Sequence, residues 1–159
     1  MGQSAIFRKR ETFYVPTHRI RLIGPWEYAW TPTASLPTEV NEASDVPATG
    51  NVRMPCDWLS LFGTKSGVAT FSRRFHRPTN LEPHERVFLV FEGIGGAGRV
   101  GLNDEPLGQV ALTDRTIEFD VTGRLAPFNR MDVELQFTPS ETAPTQGGLY
   151  GAVVLEIRS

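Results

Sequence analysis

The side chains in this sequence best suited to chemistry are three tryptophans, three histidines, one cysteine and a scatter of loop carboxylates. His18, His76 and His84 lack the spacing that lets side chains share one transition metal, and Cys56 has no thiol or histidine neighbour to join it. A lone cysteine also excludes an internal disulfide framework. Oxygen donors for calcium are plentiful in the loops, yet no run has the ligand spacing of a calcium loop, so a structural calcium has no motif behind it. No nucleophile elbow or P-loop is present. Residues 93–98 are glycine-rich but lead into a strand pattern, so they read as a flexible inter-strand loop and not as a dinucleotide fingerprint. No catalytic residue and no cofactor follow from these groups.

What remains is the pairing of aromatic faces with planar polar groups. An indole or phenyl ring can cover the apolar face of a pyranose while Arg, Asn, Asp and Glu take its hydroxyls. Trp26 sits in a strand pattern and reads as core. Trp58 follows a proline in a loop-like stretch, where core packing is favoured over a place in a binding wall. Trp30, at the mouth of a long acidic segment, is the candidate for an exposed platform, with core as the alternative. Arg99, Asn103 and Tyr150 complete the candidate ligand-binding set, with structural roles competing at Arg99 and Tyr150.

These residues must be positioned by strands. In residues 131–137 the apolar side chains are odd-numbered and the polar ones even-numbered, so one face should look inward and the other to water. Ile117, Phe119 and Val121 alternate with Glu118 and Asp120, and Val153, Leu155 and Ile157 close the chain likewise. The unbroken apolar run of residues 87–91 predicts a central strand covered on both faces. The inward set should also take in Leu22, Trp26, Phe71, Phe75, Leu89, Phe91, Val100, Leu102, Val133, Leu135 and Phe137. Arg73 shares the face of Phe71 and Phe75. It should therefore be largely buried and bonded to a carboxylate, Glu92 or Glu118, or to backbone carbonyls, unless it snorkels to the rim.

Punctuation is dense, with 15 Gly and 12 Pro. Residues 31–50 hold three prolines and no basic residue and read as a long acidic surface loop. The only helix expected is a turn or two near residues 122–126. About eight or nine strands at this spacing predict an all-β, two-sheet antiparallel β-sandwich. At 159 residues the chain fits one such domain, residues 19–159, behind an N-terminal arm, residues 1–18. Any ligand site should lie at one end of the sandwich, built from loops, because strand interiors are committed to the core.

Several blocks recur in a fixed order: Gly24–Pro25–Trp26; Val52, Pro55 and Trp58; Gly67, Phe71, Arg73, Arg74 and Phe75; Leu89, Phe91, Gly93 and Ile94; Val100, Leu102, Asn103, Leu107 and Gly108; Phe119 to Thr122; and Gly147 to Val153. In order and spacing they resemble the N-terminal sugar-binding β-sandwich of glycoside hydrolase family 2, over residues 20–157. The resemblance implies a galactose-binding-like jelly roll and an accessory, non-catalytic role. The family's catalytic glutamates belong to a separate (β/α)₈ barrel, which alone needs about 250 residues. It also implies that Asn103, on the family's hairpin, points toward a sugar pocket. Where the family has Asn-Gly at that turn, this chain has Asn103–Asp104, and Gly101 replaces a bulky aromatic.

The expected partner is therefore a carbohydrate, with a protein-interaction or structural module as the alternative. The net charge of −2 gives no footprint for nucleic acid, and no stretch approaches the ~18 apolar residues of a membrane span. Residues 1–16 contain no run of signal-peptide length, which favours the cytoplasm for the chain as written. Position 6 is Ile where a myristoylation start needs Ser or Thr. Oligomeric state is not legible.

Overall fold

The computed structural model describes residues 17–33, 48–112, 115–140 and 145–159. Among the described residues twelve strands and one helix follow one another: β1 (Thr17–Arg21), β2 (Trp26–Pro32), β3 (Thr49–Val52), β4 (Cys56–Asp57), α1 (Trp58–Phe62), β5 (Gly67–His76), β6 (Arg86–Phe91), β7 (Ala97–Leu102), β8 (Glu105–Val110), β9 (Ile117–Asp120), β10 (Phe128–Phe137), β11 (Gly148–Leu149) and β12 (Val153–Arg158). Residues 1–16 of the expected arm and residues 34–47 of the acidic segment lie outside the described residues. At the segment's margins, Thr31 and Pro32 end β2 while Thr49 and Gly50 begin β3.

The strands form a four-stranded sheet, β1-β12-β6-β9, and a six-stranded sheet, β3-β2-β5-β10-β7-β8, with β11 and β4 paired beside them. Every pairing is antiparallel. One apolar cluster drawn from both sheets fills the space between them, which makes the fold a β-sandwich of the galactose-binding-like type. β10 shows why its residues form a strand there: Met131, Val133, Leu135 and Phe137 are buried, while Asp132, Glu134 and Gln136 face outward. Of the expected inward set, Ile117 and Phe119 are only half-buried, since β9 is an edge strand; the others named are buried.

Three expectations need correction. The helix is not at residues 122–126, which form turns, but at Trp58–Phe62. Its local causes are an N-cap, with Asp57 accepting the Ser60 N–H at 2.9 Å, and Gly63 at φ 66° closing it. Its first and last residues, Trp58 and Phe62, are four apart and both buried. Residues 93–98 are not a loose loop. Gly93 to Gly96 are buried, and a Cβ at Gly95 would stand 2.1 Å from the Gln146 carbonyl oxygen.

Finally, among the described residues the outer face of β6 is covered by charged side chains and not by another layer. The Arg158 guanidinium lies 3.9 Å from the Phe88 ring centroid and pairs with Glu118 and Glu156. Arg19 joins Glu156 to Glu92, and Val90 and Val154 are buried on the same face. Long side chains that pair with each other can thus shield apolar surface through their stems.

Candidate functional site

The five expected ligand-binding residues are not brought together. Trp30 is a correction: it is 4% exposed and stacks on Phe62, with ring centroids 5.0 Å apart and planes 8° apart. The reason is parity, because Trp26, Tyr28 and Trp30 alternate with the outward Glu27 and Ala29 on β2. Trp58 is also buried, its Nε1 donating to the Lys65 carbonyl at 2.8 Å and its ring 4.7 Å from that of Phe62. Neither indole offers a face to a ligand.

Tyr150 is half-buried and packs on Gly93, where a Cβ would stand 2.7 Å from its Cε1. Gly93 lies before the start of β7 and Asn103 after its end, so β7 separates them by roughly 20 Å. Arg99 is exposed on β7 and pairs with Glu134 at 3.1 Å. The expected walls therefore divide between two ends of the sandwich, and the remainder of the acidic segment falls outside the described residues.

Asn103 does lie beside a concavity. It and Asp104 form the two-residue turn between β7 and β8, at φ 53° and 69°, as a type I′ hairpin requires. Its backbone N–H donates to the Arg130 carbonyl at 2.8 Å, and its Oδ1 accepts the Arg130 N–H at 2.8 Å. The hairpin is thereby clipped to the start of β10. Next to it opens a depression of about 640 Å³ lined by Arg74, Phe75, His76, Asn103, Phe128, Asn129 and Arg130.

Phe128 is the most exposed large apolar side chain described, at 73%. Its ring meets His76 edge-on at 4.9 Å and 63°. The register of β10 on β5 causes this, placing Phe128 opposite His76 and Arg130 opposite Arg74. Phe128 was not among the expected residues, although a signal exists. Carrying the alternation of residues 131–137 back by three puts Phe128 on the polar, even-numbered face and Asn129 on the buried one.

The outer face of the six-stranded sheet continues away from this corner as shallow polar depressions. One row crosses five strands as Asn51, Glu27, Ser72, Asp132 and Gly101. Ser72 Oγ donates to Asp132 at 2.5 Å, and Arg130 Nε lies 3.2 Å from the same carboxylate.

Arg73 departs from expectation in part. It is half-buried, and its Nη1 donates to the Arg74 carbonyl at 2.7 Å, so the carbonyl alternative holds. The carboxylate alternative does not, because Glu92 and Glu118 lie on the other sheet with Arg19 and Arg158. Burial holds its pKa below the ordinary arginine value. Among the described residues no group of three or more His, Cys, Asp or Glu could hold a metal.

The sequence model of the family described as Glycosyl hydrolase 2 galactose-binding domain-like matches residues 47–147. No curated protein matches the chain. Solved structures do. A Ruminococcus gnavus β-glucuronidase in complex with D-glucuronic acid superposes with a TM-score of 0.68 at 16% identity, over 89% of this chain and 30% of that one. A Bifidobacterium dentium β-glucuronidase complexed with coumarin-3-O-glucuronide gives 0.65 at 21% identity, over 89% and 30%. A Faecalibacterium prausnitzii β-glucuronidase gives 0.63 at 17%, over 89% and 31%. These likenesses are of fold, and the chain spans less than a third of the length of each of these proteins.

Proposed function

The chain belongs to the Glycosyl hydrolase 2 galactose-binding domain-like family, and on that premise we propose that it is a carbohydrate-binding module with no catalytic role of its own. The observation that carries this reading is the corner where Phe128 stands exposed beside Asn103, Arg74, Arg130 and His76. An aromatic face next to convergent planar polar groups in a concave site is the arrangement a pyranose needs. Covering about 60 Å² of the phenyl ring would contribute about 1.5 kcal/mol at 25 cal/mol per Å². Millimolar to micromolar affinity needs about 4–8 kcal/mol in all, so the polar contacts must supply the larger share.

The second reading is a protein-interaction or structural module. The same exposed phenylalanine between arginines favours it, since an aromatic flanked by Arg is also how one protein anchors in another. A glycan array with the purified chain, followed by titration calorimetry, separates the two. On the first reading at least one glycan binds, and Phe128→Ala weakens it about tenfold with the melting temperature unchanged. Failure of every glycan to bind would leave the interaction reading in its place.

A further inference from the structure

Beside the Phe128 corner, and sharing Arg74 and Arg130 with it, lies a second depression of about 350 Å³ bounded by Pro25, Glu27, Asn51, Ser72, Arg73, Arg74 and Arg130. Three arginines thus line one hollow with a single carboxylate, Glu27, on its wall. Arg74 and Arg130 stand directly opposite each other on adjacent strands, an arrangement that is unfavourable unless an anion lies between or near them. Arg130 is partly neutralised by Asp132, which its Nε approaches at 3.2 Å. Among the described residues Arg74 has no carboxylate partner. Among the described residues the buried Nε of Arg73 has no hydrogen-bond partner, while its Nη1 donates to the Arg74 carbonyl at 2.7 Å.

We propose that this hollow is an oxyanion site, in which Arg73, Arg74 and Arg130 take the carboxylate or sulfate ester of an acidic saccharide whose ring lies against Phe128. The specificity rests on the carbohydrate-binding reading above, whereas the oxyanion site itself does not. Guanidinium forks match the planar geometry of a carboxylate and the tetrahedral face of a sulfate, and an anion between them would relieve the facing charges of Arg74 and Arg130. Uronates and sulfated sugars share this chemistry, so the two sources must be told apart by experiment.

The direct probe is inorganic sulfate, followed through the arginine Nε–H resonances of the isotopically labelled chain. Saturable shifts at Arg73, Arg74 and Arg130, with the dissociation constant raised about tenfold by Arg74→Gln and partly restored by Arg74→Lys, are expected. Arg74 is exposed, so its variants should fold. Shifts that grow linearly with sulfate, or that ignore Arg74→Gln, would overturn the site.

On an array holding neutral, uronate and sulfated glycans, binding confined to the acidic ones and lost in Arg74→Gln is expected, with the uronate and sulfate arms naming the source. Binding of neutral glycans equally well would sink the acidic specificity while leaving the carbohydrate reading intact. Saturable sulfate with no glycan bound, or with acidic peptides bound in their place, would remove the saccharide and retain only the anion site.

Discussion

The side-chain amide of Asn103 donates to Oδ1 of Asn129 at 2.9 Å, joining the β7–β8 turn to a polar side chain that is only 4% exposed. Asn129 Oδ1 also accepts the Ala126 N–H at 2.8 Å, and its Nδ2 donates to the Ala126 carbonyl at 2.8 Å and the Phe75 carbonyl at 3.4 Å. The corner that carries Phe128 is therefore built on a satisfied buried amide, and the residue the family resemblance points to is held by the scaffold as well as facing the hollow.

Asn129→Ala should strand the Ala126 backbone groups and the Asn103 amide together. Each orphaned buried group costs about 1–3 kcal/mol, so a loss of about 2–4 kcal/mol in urea unfolding is expected with little change in the denaturant slope. A loss under about 0.5 kcal/mol, the size of a neutral surface change, would show that the network holds nothing.

Asp104→Gly should stabilise the chain. Asp104 sits at φ 69° as the second residue of the turn, where glycine meets no steric penalty. A gain of about 0.5 kcal/mol is expected, the left-handed penalty being partly offset by the greater freedom of unfolded glycine. A lower melting temperature would mean that the Asp104 side chain itself supports the turn.

Trp30→Ala should act through stability. Its indole packs on Phe62, which also meets Trp58 at 4.7 Å and Tyr28 at 5.5 Å. Removing a buried ring of this size costs about 3–5 kcal/mol. The check is a denaturant midpoint measured beside glycan affinity: a variant that keeps its midpoint and loses only binding would restore Trp30 as a platform.

Acid should weaken the four-stranded sheet through Asp120. The Thr122 hydroxyl donates to it at 2.6 Å and the Thr122 N–H at 3.0 Å, and with Arg86 beside it the carboxyl falls from 3.8 to about 2. A folded pKa below the unfolded one adds stability that is present above about pH 4 and is lost as pH falls toward 2. Asp120→Asn should therefore be less stable than the parent at pH 6, with the difference closing by pH 2. A difference independent of pH would detach the effect from this ionisation. The side chain is partly exposed, so the effect should be modest and salt-sensitive.

Much of the fold is legible because strand parity is a local property. Residues 131–137 declare their inner and outer faces without any knowledge of what lies opposite, and a slip of one residue would drive Asp132, Glu134 and Gln136 into the core. The same parity, extended, already assigns Trp30 inward and Phe128 outward. The acidic segment beside Trp30 suggests exposure, but the parity of its own strand decides its face. The helix at Trp58–Phe62 leaves little trace in the sequence because five residues carry too little periodicity, and its capping by Asp57 and Gly63 is a matter of two positions.

What the amino-acid order determined by itself is thus the all-β class and the facing of strands such as residues 131–137. The eight or nine strands expected are twelve among the described residues, because two-residue pairings such as β4 with β11 are too short to show alternation. What only the tertiary structure decided is which faces meet. Phe128 finds His76, and Arg130 finds Arg74, because β10 lies against β5 in one register across more than fifty residues of chain. Arg73 reaches the hollow beside Pro25 although its parity groups it with Phe71 and Phe75. Pairing between distant strands is selected by the summed burial of both sheets, a non-local free energy that no short stretch of sequence contains.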